Sequence, residues 1–115
     1  MRIVDSGNRI RRDELTKMAE DMFGELVKAV VDISRSVMVV DAELHADEEA
    51  LLIAQGSDPH DLWGINLYPA LEGDDFIEFD SMINLRPSLG NRSRGVDDAA
   101  IRERIRRIVN SLVIR

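Results

Sequence analysis

Two runs near the middle of the chain alternate apolar and polar side chains with a period of two, the spacing of strands with one face buried. The first is Leu62-Trp63-Gly64-Ile65-Asn66-Leu67-Tyr68-Pro69, and the second extends from Phe76 to Pro87. In the second, Ile77, Phe79, Ile83 and Leu85 share a face with Ser81, while Glu78, Asp80, Asn84 and Arg86 share the other. Pairing the runs across the 69–75 loop predicts a hairpin. It sets Asn66 and Tyr68 beside Glu78 and Asp80, with Asn84 and Arg86 further along. Trp63, on the face of Ile65 and Leu67, belongs to the core.

The flanking segments change period. Met1 to Asp5 reads as a short strand. From Arg12, the residues Leu15, Met18, Ala19, Met22 and Phe23 recur at helical spacing, and Gly24 supplies a C-terminal cap. Residues 26–44 could form one long helix, but Val27, Val30, Val31, Ile33, Val37, Val39 and Val40 are all β-branched and favour a hairpin broken at Ser34-Arg35-Ser36. That turn lacks the Asn-Gly or Gly-X pair usual in a two-residue loop. His45 to Gly56 reads as a short helix with an acidic first turn. A final amphipathic helix follows Asp97 as N-cap, with Ile101, Ile105, Ile108, Val109 and Leu112 on its apolar stripe.

This order of elements predicts a single α+β domain over residues 1–115. An antiparallel or mixed sheet of four to five strands, built from two hairpins, is packed by three helices. The length of 115 residues suits one core. With 44% hydrophobic and 32% charged residues, wholesale disorder is excluded. No apolar stretch is long enough to span a membrane, and the amino terminus lacks a signal-peptide core, so a cytoplasmic location is expected. Without cysteine there is no disulfide, thiolate nucleophile or cysteine-ligated metal.

A formal net charge of −7 opposes general binding to nucleic acid or anionic lipid. More than half of the basic residues nevertheless fall between Arg86 and Arg115, which leaves room for a local anion site.

Several strings resemble a family of small prokaryotic proteins of unknown function. They are Val27-Lys28-Ala29-Val30-Val31-Asp32-Ile33, Glu43-Leu44-His45-Ala46-Asp47, Asp61 to Pro69, and Ile83-Asn84-Leu85-Arg86-Pro87. The resemblance covers about Leu15 to Leu112 and implies a stand-alone bacterial or archaeal cytoplasmic domain, with no activity to carry over. Val40-Asp41-Ala42 departs from it, because small, glycine-like residues are expected there.

Three constellations could carry chemistry. Asp41, Glu43, His45 and Asp47 fall at every second residue, a spacing that on an extended chain suits a divalent ion held by oxygen and imidazole. A helix beginning at His45 breaks that alternation and makes the group structural. The polar sheet face of Asn66, Tyr68, Glu78, Asp80, Asn84 and Arg86 could orient a small polar ligand; equally, it could be solvated or meet a second copy. The loop from Arg86 through Asn91, Arg92 and Arg94 to the helix at Asp97 could cradle a phosphate or carboxylate. It lacks the Gly-Lys-Ser/Thr ending of a Walker loop.

Three readings follow. The first is a homodimeric or larger binding module whose anion pocket joins Asn66, Tyr68, Glu78, Asp80 and Asn84 to Arg86, Asn91, Arg92 and Arg94. The second is a divalent-metal hydrolase or nuclease with His45, Glu43, Asp41, Asp47 and Asp80 as ligands or bases and the arginine loop on substrate phosphate. The third is a structural module for protein contacts. Whether the chain is an enzyme is left open by its residues.

Overall fold

The computed structural model describes all 115 residues. The chain runs through β1 (Arg2–Val4), β2 (Ile10–Arg11), α1 (Arg12–Asp21), β3 (Val27–Asp32), β4 (Val37–Val40), α2 (His45–Ala54), β5 (Leu62–Leu67), β6 (Ile77–Glu78), α3 (Ala99–Leu112) and β7 (Val113–Ile114). Five strands form an antiparallel sheet in the order β1-β4-β3-β5-β6. β2 and β7 form a separate parallel ribbon of two residues each, too short to leave a period in the sequence. The fold is α+β, with three helices around an antiparallel sheet.

The β-branched segment folds as the expected hairpin, and its turn is stronger than its residues suggest. The buried Asp32 carboxylate accepts from the Ser34 and Arg35 amides at 2.9 and 3.0 Å and from the Ser57 hydroxyl at 2.6 Å. One side chain thus closes the turn and ties it to the loop after α2, replacing the missing turn dipeptide. At the first helix, Gly24 takes φ +92° and donates its amide to the Ala19 carbonyl, a left-handed cap that favours glycine. The last helix starts one residue later than expected: Asp98 caps it by accepting from the Ala100 amide, whereas Asp97 accepts from the Arg92 amide and the Ser93 hydroxyl.

Alternation in β3 and β5 sends side chains to two unlike faces. Val27, Ala29, Val31, Trp63, Ile65 and Leu67 meet Leu15 and Ala19 of α1 and Ile105, Ile108, Val109 and Leu112 of α3 in a cluster of 20 buried apolar residues. Helix α2 covers the other face, where only Val30, Val39, Leu52 and Leu62 form a buried apolar group. Lys28, Asn66 and Gly64 share that second face.

The second alternating run departs from the expected strand. Pairing with β5 stops after Asn66↔Glu78 and Leu67↔Ile77, and residues 82–84 and 87–89 turn as short 3-10 helices. Phe79 stays with the large cluster while Ile83 crosses to the α2 face. Gly64 permits the crossing: a Cβ there would lie 2.5 Å from the Ser81 Cβ. Asn84 then does a strand's work with its carboxamide, accepting from the Gly64 amide at 2.8 Å and donating to the Gly64 carbonyl at 2.9 Å. Arg86 does the same one step on, donating to the Leu62 carbonyl at 2.8 Å. Alternation in this run therefore records side chains aimed at a strand edge rather than a strand.

Candidate functional site

Register across the α2 face sets three polar side chains in a row, Lys28 on β3 beside Asn66 on β5 beside Glu78 on β6. The amino-terminal turn of α2 and the segment after β6 form the banks. Together they line a groove of about 620 Å³, floored by Lys28, His45, Asn66, Tyr68, Glu78, Asp80 and Arg94 and rimmed by Phe23, Leu26, Leu44 and Met82. That volume suits a small organic ligand, and a mostly apolar rim with a few polar groups is the usual make-up of such sites.

Asn66 is the hub. It is 7% exposed. Its Nδ2 donates to the Glu78 carboxylate at 2.8 Å and to the Asp80 carbonyl at 3.2 Å, and the Tyr68 hydroxyl donates to the same Glu78 oxygen at 3.1 Å. A flipped amide would set oxygen against oxygen at Glu78, so the orientation is fixed by its neighbours. Asn66 Oδ1 is then left buried without a hydrogen-bond donor. Asp80 forms an ion pair with Arg94 at 2.8 Å. Lys28 forms no ion pair; its ammonium lies 5.0 Å above the centre of the Phe23 ring.

His45 binds the Ile65 carbonyl through Nε2 at 2.7 Å. A carbonyl can only accept, so Nε2 carries the proton and Nδ1 keeps the lone pair in the neutral ring. Burial pushes the imidazole below its usual range; the Ile65 carbonyl opposes the shift, Lys28 adds to it, and Asp80 and the neighbouring Asn66 side chain oppose it. Burial, reinforced by Glu78, raises the Tyr68 phenol. At neutral pH the groove thus holds a neutral imidazole and a protonated phenol.

The remaining residues of the expected anion pocket lie elsewhere or are engaged. The amide of Asn84 is spent on Gly64 and on the Arg94 carbonyl. Asn91, buried, donates to the carbonyls of Asn84, Ser93 and Gly95 and accepts from the Asp97 amide. It is a strut for the loop. Arg86 stacks on Trp63, 4.3 Å from the ring centre, and donates to the Pro59 and Leu62 carbonyls. Arg86 and Asn91 line a different hollow with Trp63, His60, Asp97 and Asp98. Arg92 is exposed and engages only through its backbone amide. One hollow therefore does not gather all nine residues: Asn66, Tyr68, Glu78, Asp80 and Arg94 converge, while Asn84, Arg86, Asn91 and Arg92 do not. The loop arginines diverge in their partners: Arg86 is tied to the Pro59 and Leu62 carbonyls and Arg94 to the Asp80 carboxylate, while Arg92 lies exposed.

The expected metal ligands divide as well. His45 faces the groove, whereas Asp41, Glu43 and Asp47 line a shallow depression beside Met1 and Met22. No three His, Asp or Glu side chains are grouped to hold a metal ion. Helix α2 begins at His45 and ends the every-second-residue alternation on which that set depended.

The sequence pattern marks neither Lys28 nor Glu48 as a site residue. Lys28 stood among valines as one polar residue of a buried strand, a signal that strand register alone could turn into a site. Glu48 is fully buried in α2, and neither carboxyl oxygen has a hydrogen-bond partner. Burial raises its pKa to about 9, against the pull of the nearby Ala42 amide and Lys28, so the group is a neutral acid at pH 7.

Residues 3–112 match the family model described as "Protein of unknown function (DUF5674)". The chain belongs to that family. No curated protein and no solved structure matches it. No helix in this DUF5674 member is long and apolar enough to cross a membrane.

Proposed function

We propose that this DUF5674 protein is a binding module whose groove over the α2 face takes a small polar ligand bearing a phosphate or carboxylate. The observation that carries the reading is the convergence of unspent polar groups from four elements on one concave surface, with Asn66 buried and half-satisfied at its centre. Lys28 is the anchor for the anion. It is the cation of the groove without a carboxylate partner, whereas Arg94 is already paired with Asp80. Phe23, Leu44 and Met82 offer contact to a hydrocarbon part. Every groove residue comes from one chain, so the reading does not depend on a homodimer.

Thermal-shift measurement against a panel of small carboxylates and phosphates tests the proposal. A ligand at 100 times its Kd adds about 2.7 kcal/mol to the unfolding free energy, an effect easily seen. Stabilisation by at least one class is expected, with loss in Lys28→Met and retention in Arg92→Ala. No stabilisation by any compound, or loss in Arg92→Ala with retention in Lys28→Met, contradicts it.

A further inference from the structure

The hydrogen-bond inventory of the groove is lopsided. Asn66 Oδ1 has no donor. Only one oxygen of Glu78 is used, by Asn66 and Tyr68, and only one oxygen of Asp80, by Arg94. With Nε2–H committed to the Ile65 carbonyl, His45 Nδ1 is a fourth acceptor. Against these four acceptors stands one unpaired cation, Lys28, turned over the Phe23 ring rather than toward Glu78.

A simple anion would satisfy Lys28 and leave every acceptor idle, beside two carboxylates that repel it. A simple cation would satisfy the acceptors and meet Lys28. Both charges are answered only by a molecule carrying both. We propose that the groove takes a zwitterion, a short molecule with a carboxylate or phosphate toward Lys28 and a protonated amine toward Glu78 and Asp80. The inference rests on the binding reading above and names the ligand's chemistry. Two strand spacings put the Lys28 and Glu78 backbones about 10 Å apart across the row, so a ligand bridging their side chains is a short one. The carboxylates do not carry this alone: Lys28 shares the groove with them, and the buried Asn66 beside them has an Oδ1 without a donor, so the excess of acceptors extends beneath the floor.

Matched probes provide the test. Titration calorimetry compares β-alanine with propionate and 2-aminoethyl phosphate with ethyl phosphate, which separates the amine from the anion and carboxylate from phosphate. At least one amine-bearing probe is expected to bind about tenfold tighter than its partner, the contribution of roughly one charge-assisted hydrogen bond. Glu78→Gln keeps an acceptor for Asn66 and Tyr68 but removes a charge, and Asp80→Asn does likewise beside Arg94; together they are expected to erase most of that preference. Equal binding of the amine-free anions overturns the zwitterion and leaves the anion-binding reading intact. Binding by none of the four overturns both. A preference that survives the two substitutions overturns the assignment of the amine to these residues.

Discussion

On one side of the sheet, 20 buried apolar residues from the strands, α1 and α3 pack together; on the other, the buried apolar group has four members and lies among Glu48, Asn66 and Asn84. Both sides carry a helix, and the groove leaves the α2 side only partly covered, so exposure alone does not explain why polar groups are buried there. How far each polar group is satisfied does. Asn84 commits its amide to backbone partners, Asn66 commits half of its amide, and Glu48 commits neither oxygen. A buried polar group that is fully paired is scaffold, and one that is left unpaired costs stability unless it is used. The α1/α3 side therefore stabilises the domain, and the α2 side holds groups that a stability argument alone would remove.

Substitutions should separate the two sides. The largest loss is expected on the apolar side: Ile105→Ala, at a fully buried position, should reduce the unfolding free energy by ~2–5 kcal/mol in chemical denaturation. A loss below ~1 kcal/mol would mean that the main core lies elsewhere. Asn84→Ala should cost ~2–4 kcal/mol, because it strands the amide and carbonyl of Gly64 at the edge of β5. A neutral result would show that the carboxamide is not standing in for a strand.

Glu48→Gln should have the opposite sign, a gain of ~1–3 kcal/mol near neutral pH, where the parent keeps a proton that its unfolded chain releases. With the folded pKa at about 9 and the ordinary value at 4.5, the native state binds the extra proton between those limits. Parent stability therefore falls relative to the variant as pH rises through that window, and the difference is flat below it. A gap that does not widen between pH ~5 and ~8 contradicts the buried acid. The smallest effect is at Asp41, which occupies φ +73°. Asp41→Gly should gain ~1 kcal/mol or less by relieving left-handed strain, and a loss would assign the Asp41 side chain a role of its own.

Asp41 also shows how much was legible in the chain. Of the three positions 40–42, Asp41 alone takes a positive φ, where a glycine would be free of strain. The β-branched hairpin, three helices and the core position of Trp63 were readable because period and branching report burial directly. The second alternating run misled because Asn84 and Arg86 address the edge of β5 with side chains at strand spacing, and period cannot distinguish a strand from its imitation. Half of the groove was visible as polar positions on paired strands, Asn66 and Tyr68 against Glu78 and Asp80. Lys28 and His45 were not placed there, since they join only through the register of β3 with β5 and the entry angle of α2. The arginine loop suggests one cradle in sequence, but neighbours in a tight loop need not aim their side chains at one point.

Amide NMR during titration with 2-aminoethyl phosphate and β-alanine bears most directly on the groove as the ligand site. Shifts concentrated at Lys28, His45, Asn66, Glu78 and Asp80 are the expected result. Shifts centred instead on Trp63, Arg86, Asn91 and Asp97, or spread without a centre, would contradict it.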